Sequence, residues 1–355
     1  MTRMRHLLIL FPLALLACGS TVKLGPDTYA PHQAPPFDGR KLDQFRLNAM
    51  TKGEPVVLDS VHSAWLSAKG EILIFDHQAN KEVDRISGKG PITGFAYQQH
   101  NFYWTETERE KNVVRYDNTT GKEVWRVRGG TYSTSPLVSG NLCIFTQVNG
   151  LLTALAVDSG TVVWDVRTPG RVFTTPVLHD STLFLGNDQG RIAAYHLADG
   201  EKRWSVDVRS PVMVMAFRQD RLYAGTFSGE MVAVDPATRT IRWRIETGAQ
   251  VRQAPLVTGT DAFWANSGGA LYKINTTTGE FRRLDRLKVP IGGAPALSEA
   301  GLLYAGLDGN LYLLNQQTGK IEKTVPFDGR LRSTPLFIEH HWYVAVEDHW
   351  LYALD

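Results

Sequence analysis

Cysteine is nearly missing from this chain: Cys18 and Cys143 are the only two in 355 residues. Two cysteines, with no adjacent pair, are too few for a disulfide framework. Charge of one sign is also lacking. The chain carries 38 Lys and Arg against 36 Asp and Glu, and Arg3 and Arg5 of the N-terminal leader account for the excess. A balanced chain without a basic run offers no electrostatic basis for binding nucleic acid. Long apolar runs are absent except for Leu7 to Ala17, which is too short for a permanent membrane span. There is no Walker loop, nucleophile-elbow serine or persuasive pair of catalytic carboxylates. The histidines do not repair this. His340 and His341 are neighbours and would point to opposite faces of a strand, and His349 stands alone, so no metal is expected.

What the chain does have is a repeat. Asp158-Ser159-Gly160-Thr161-Val162-Val163-Trp164 returns about every 40 residues. The glycine column runs Gly121, Gly160, Gly200, Gly279 and Gly319, with Asn80 and Arg239 in its gaps. Four residues later come Trp125, Trp164, Trp204 and Trp243, then Arg283 and Lys323. A proline column (Pro136, Pro176, Pro255, Pro295, Pro335) precedes it, with Met215 in the one missing slot. A second glycine column comprises Gly150, Gly190, Gly229, Gly269 and Gly309. An Asp or Asn recurs four residues before the first glycine column, as in Asp76, Asp117, Asp235, Asn275 and Asn315. Between these markers lie short β-branched and aromatic runs bounded by turn residues, which read as strands. The Asp/Asn side chain suits a turn whose backbone it can bond two residues on, and the glycine suits positive φ. Four strands per repeat predict an all-β propeller of four-stranded antiparallel blades.

The blade count follows from the ends. The last repeat stops at Asp355, short of its outer strand, while Gly39 to Phe45 reads as an orphan outer strand one period before Asn80. Eight blades are therefore expected, closed by the N-terminal strand so that no sheet edge is left open. Seven blades is the alternative, because the first repeat is the poorest match, with Asp84 in the tryptophan column. The tryptophans are expected to pack between blades rather than to cage a ligand. Glu106 to Asn112 reads as a solvated charged loop, and Cys143 as a buried free thiol.

Residues 1–17 have the grammar of a signal peptide, with Arg3 and Arg5 ahead of the apolar run. The ending Leu15-Leu16-Ala17-Cys18 resembles the bacterial lipoprotein signal, which implies lipidation of Cys18. Gly19 stands where that resemblance would put an aspartate for inner-membrane retention, so the outer membrane is expected. Residues 18–38, with Pro26, Pro31, Pro35 and Pro36, read as the lipidated cysteine and a flexible tether. Residues 39–355 read as one propeller domain.

The repeat resembles the pyrroloquinoline-quinone-type propeller repeat, as in Asp308-Gly309-Asn310-Leu311-Tyr312-Leu313-Leu314-Asn315 and Leu351-Tyr352-Ala353-Leu354-Asp355. Quinone-dependent dehydrogenases of that type hold their cofactor with a vicinal disulfide and an acidic calcium site. Neither is written here, and no cofactor is expected. With the lipoprotein signal and the tether, the eight-bladed pattern resembles the BamB family, which implies a non-catalytic lipoprotein of the outer-membrane β-barrel assembly machinery. The implied partners are the barrel-forming subunit and the other lipoproteins of that complex, on the periplasmic side of the outer membrane. The family's docking arginine lies five residues before a strand-start proline in the fourth blade, where Arg171 precedes Pro176. The family's neighbouring leucines are replaced by Thr168 and Gly170, and its acidic pair by Ser210 and Val212. The alternative is a propeller lipoprotein with another periplasmic partner, or with a small anion at a channel mouth marked by Arg252 and Arg332, which share a column with Phe173.

Overall fold

A computed structural model describes residues 37–47, 49–107, 111–132, 134–287, 289–347 and 349–355. The signal peptide, Cys18 and nearly all of the tether fall outside these residues. The described chain forms eight four-stranded sheets, and the fold is the expected eight-bladed propeller. Seven of the sheets are built from consecutive strands. The first repeat makes a complete blade from Thr51–Val57, His62–Ser67, Glu71–Asp76 and Lys81–Ser87, which removes the seven-blade alternative.

The eighth blade joins the two ends of the chain. Leu336–Ile338, His341–Val346 and Trp350–Leu354 are completed on the outside by Lys41–Arg46. Gln44 lies opposite Tyr352 and Phe45 opposite Leu351. The N–H groups of Asp38 and Gly39 both donate to the Asp355 carbonyl, at 3.0 and 2.7 Å, and Arg40 pairs with the Asp355 carboxylate. Phe37, which the sequence placed at the end of the tether, is buried edge-on against Trp342. The strand that closes the ring is therefore fixed by ladder bonds, a charge pair and a ring contact together.

The Asp/Asn column does what its turn chemistry dictates. Asp76 Oδ1 accepts from the N–H groups of Gln78 and Ala79, Asp235 Oδ1 from Ala237 and Thr238, and Asn275 Oδ1 from Thr277 and Thr278. The tryptophan and glycine columns interlock across blades. Each indole lies under the turn glycine of the next blade: Trp125 under Gly160, Trp164 under Gly200, Trp243 under Gly279. Each indole N–H then donates to a carbonyl of that next blade, at Val157, Leu197 and Thr276 respectively. The glycines meet two demands, positive φ (+70°, +71° and +77°) and no Cβ where the indole sits. Blade two confirms the logic. Its Gly121 faces blade one, where Asp84 replaces the tryptophan, and its nearest neighbour is the Tyr116 hydroxyl at 3.6 Å.

The core is a series of clusters shared by neighbouring blades. One holds Tyr103, Trp125, Cys143 and Phe145, and another Trp164, Leu183, Leu185 and Tyr195. Cys143 is a buried free thiol, and burial pushes its ionisation far up. At roughly 150–250 Å² per tryptophan, each interlock contributes several kcal/mol of gross apolar transfer free energy.

Glu106 departs from the solvated loop expected of it. It is the last residue of the strand Asn101–Glu106 and is fully buried. Its carboxylate accepts from the Trp104 indole N–H at 2.9 Å, the Asn112 amide at 3.4 Å and the Lys89 backbone N–H at 3.2 Å, and pairs with Arg126. The run therefore begins with a satisfied internal charge pair.

Candidate functional site

Arg171 lies in the connection from blade three to blade four, between the strands Val162–Arg167 and Val177–His179. Residues of this connection alternate sides. Arg171 and Phe173 are exposed, whereas Val172 and Thr174 are buried. Extended backbone puts successive side chains on opposite faces, and the apolar and hydroxyl members here turn inward. Phe173 keeps 47% of its surface in water although nothing in its chemistry favours that.

The backbone of this loop is clamped. Asp188, in the turn between the second and third strands of blade four, accepts the Arg171 N–H on Oδ1 at 2.8 Å, and its own N–H donates to the Arg171 carbonyl at 2.9 Å. Gly170 has φ +76°, and a Cβ there would sit 2.7 Å from Asp188 Oδ1, so only glycine permits the clamp. The Asn187 amide donates to the Pro169 carbonyl at 2.6 Å, and the Thr174 hydroxyl bridges both backbone groups of Gly186. Around these bonds the Arg171 guanidinium has no hydrogen bond or ion pair among the described residues. A rigid loop thus presents one free cation and one free aromatic ring.

The same face continues into blade five. Phe227 is 52% exposed, and its N–H donates to the Pro211 carbonyl as Asp188 does to Arg171. That bond places Phe227 on the same face in the neighbouring blade. Sequence reasoning missed it because the second glycine column accounts for the turn without reference to the residue two before Gly229.

The arginines expected at the channel mouth each have a partner of their own. Arg252 Nε donates to Gln250 Oε1 at 2.7 Å, and Arg332 Nε to Glu347 Oε1 at 3.1 Å. No bond joins the two among the described residues. The residue that matches Arg171 in backbone role is Arg330, since the Glu347 N–H donates to its carbonyl at 2.9 Å. The spelling was visible: Gly329-Arg330-Leu331-Arg332-Ser333-Thr334-Pro335 mirrors Gly170-Arg171-Val172-Phe173-Thr174-Thr175-Pro176. The environments differ, because Glu347 lies within 3.1 Å of Arg332 and 3.8 Å of Arg330 and gives both guanidinium groups an acid neighbour.

The positions that depart from the expected pattern are inward-facing. Thr168 is buried and its hydroxyl donates to the Gly150 carbonyl at 2.9 Å. Ser210 is buried and accepts from the Ser228 N–H at 3.0 Å, and Val212 is in the core. No three His, Cys, Asp or Glu side chains converge on a possible metal position among the described residues. His349 takes a turn-glycine position with φ 73°, and His341 pairs with Asp355.

The model of the family described as "Outer membrane protein assembly factor BamB" matches residues 68–214 and 212–283. The chain belongs to that family. An assembly factor of this name from Shewanella oneidensis is 23% identical over 195 residues, covering 46% of this chain and 49% of its own length. One from Alkalilimnicola ehrlichii is 29% identical over 195 residues, 51% of each chain. The chain thus matches about half the length of these curated relatives. Among solved structures, BamB from Moraxella catarrhalis superposes with a TM-score of 0.74 at 19% identity, over 89% of this chain and 99% of that one. That likeness is one of fold.

Proposed function

We propose that this protein is a non-catalytic scaffold of the outer-membrane β-barrel assembly machinery, carried on the periplasmic face of the outer membrane by a lipid on Cys18. Membership of the BamB family supports the assembly role. The observation that carries the docking site is the clamped loop from Gly170 to Thr174, which holds Arg171 without a partner beside an exposed Phe173. An unpaired guanidinium on a fixed backbone loses little entropy when a partner carboxylate meets it, and arginine and aromatics are the side chains that dominate such contacts. The barrel-forming subunit would supply the carboxylate, and Phe173 with Phe227 the apolar complement that the missing family leucines would otherwise give.

The test is co-purification with the barrel-forming subunit. Wild type is retained, Arg171→Glu and Phe173→Asp are lost, and the thermal midpoint of both variants stays with wild type. Failure of the wild-type protein to co-purify would refute the assembly reading. Retention of Arg171→Glu would refute the loop while leaving the assembly reading standing.

A further inference from the structure

The inner strand of blade one is irregular. Thr51 and Lys52 pair with Ser67 and Leu66, and pairing resumes only at Val56 opposite Ala64. Gly53, Glu54 and Pro55 therefore bulge out of the ladder opposite the single residue Trp65. Gly53 has φ +73°, and a Cβ there would meet nothing within 4 Å. The bulge carries Glu54 away from its own blade. Its Oε2 accepts the backbone N–H of Thr334, in blade eight, at 2.8 Å. The N–H of Ala294, in blade seven, faces the same carboxylate and favours its charged form. Blade seven is not adjacent to blade one in the ring, so the carboxylate reaches these groups through the central channel.

The two donors are brought together by a glycine pair. A Cβ at Gly292 would lie 1.7 Å from the Leu331 carbonyl, and one at Gly293 would lie 2.3 Å from Thr334 N. Only glycines let the inner segments of blades seven and eight approach this closely. The corresponding N–H groups, one residue before the column proline, are Ser135, Thr175 and Ala254 in blades three, four and six. Among the described residues these have no acceptor in the protein, and the residues are partly exposed. Ala294 and Thr334 are buried. Glu54 itself keeps accessible surface, because it stands in the channel, yet protein surrounds it. That surround pushes its carboxyl above the usual range, against the lowering effect of Thr334 and Ala294.

We infer that the channel contains a carboxylate site, made by the paired N–H groups of Ala294 and Thr334, which the chain fills with its own Glu54 and which a small free carboxylate enters when Glu54 leaves. Two convergent backbone N–H groups with positive partial charge are an anion seat, and the Thr334 side chain adds to it. A glutamate delivered on a glycine-hinged bulge is an occupant that can move without disturbing the blades. The slot between closely packed inner segments takes one carboxyl group, which selects small acids over bulky anions.

Full-length protein, wild type and Glu54→Ala, is unfolded thermally in chloride, in acetate and in the neutral isostere acetamide. Glu54→Ala has a lowered midpoint in chloride. Saturating acetate recovers more than half of that loss and leaves wild type unmoved, while acetamide does nothing. An equal acetate shift in both proteins, or equal rescue by acetamide, would overturn the site. Glu54→Gln, which keeps volume and an acceptor oxygen, supports an independent reading by backbone amide NMR. Loss of the carboxylate moves the Thr334 and Ala294 amide protons upfield. If neither amide proton moves, the seat does not exist as described.

Discussion

The Trp–Gly interlock makes a quantitative prediction at Gly279. Its φ of +77° and the Trp243 side chain, whose Cβ would lie 2.5 Å from an added methyl, oppose Gly279→Ala for separate reasons. A left-handed conformation costs a non-glycine residue about 1–2 kcal/mol. Forcing a methyl into packed surface costs about 1–3 kcal/mol more, because the indole must leave its seat. The substitution should therefore destabilise by roughly 2–5 kcal/mol. Gly259 isolates the first cost. Its φ is +54°, and nothing lies within 4 Å of its added Cβ, so Gly259→Ala should lose only about 1–2 kcal/mol. Urea unfolding of both variants beside wild type reads the difference as a shift in midpoint at constant slope. Tryptophan fluorescence supplies the local signature, since Trp243 loses its 3.1 Å bond to the Thr276 carbonyl and emits further to the red only in Gly279→Ala. The chain already shows the permissive case. Arg239 holds this column in blade five at φ 62°, and Trp204, the indole it faces, is only partly buried. Equal midpoints for the two glycine variants would refute the claim that the column exists to seat the tryptophan.

Glu106→Ala leaves the buried Trp104 indole without its acceptor and the half-buried Arg126 with Glu123 alone, and should cost about 1–3 kcal/mol in denaturant titration. Glu106→Gln should cost less, because the amide oxygen still accepts from Trp104. Removing residues through Arg46 uncovers the Trp350–Leu354 edge, and light scattering should report association that full-length protein does not show. His77 is buried against Tyr343, with its ring bonded to the Ser63 hydroxyl, and burial lowers its pKa to about 3. The unfolded chain then binds a proton that the fold does not, so stability falls as pH drops from about 6.5 towards 3, by about 1.4 kcal/mol per unit. His77→Phe should flatten that part of the midpoint-against-pH curve.

The architecture was legible because each blade repeats one local grammar. The Asp/Asn turns, the positive-φ glycines and the tryptophans recur in register, and the orphan strand near Gly39 was found by the same period. What escaped lies where one blade breaks the rule. Glu106 reads as part of a charged run, and its burial depends on Arg126, twenty residues on, which no window joins to it. The Gly53-Glu54-Pro55 bulge sits in the weakest repeat, and its partners in blades seven and eight come together only when the ring closes. The channel arginines were chosen by column, and column gives register but not neighbours. Arg252 and Arg332 share a column yet bond to different residues, and the closer mate of Arg171 was Arg330, two positions earlier.

That pair also shows why a scaffold of repeats can carry a directional contact. Blades four and eight stand on opposite sides of an eight-membered ring, and both spell glycine-arginine ahead of the column proline. The N–H groups of Asp188 and Glu347 donate to the two arginine carbonyls from one register, although Gly170 has φ +76° and Gly329 φ +152°. The difference is where the acid points. Asp188 spends its carboxylate on the Arg171 backbone N–H and leaves the guanidinium free, whereas Glu347 turns to the side chains of Arg330 and Arg332. Exposed ion pairs contribute little to stability, so the pairing in blade eight matters mainly in giving both of its arginines an acid neighbour. One acid, redirected from side chain to backbone, is enough to make two similarly spelled loops present their arginines differently.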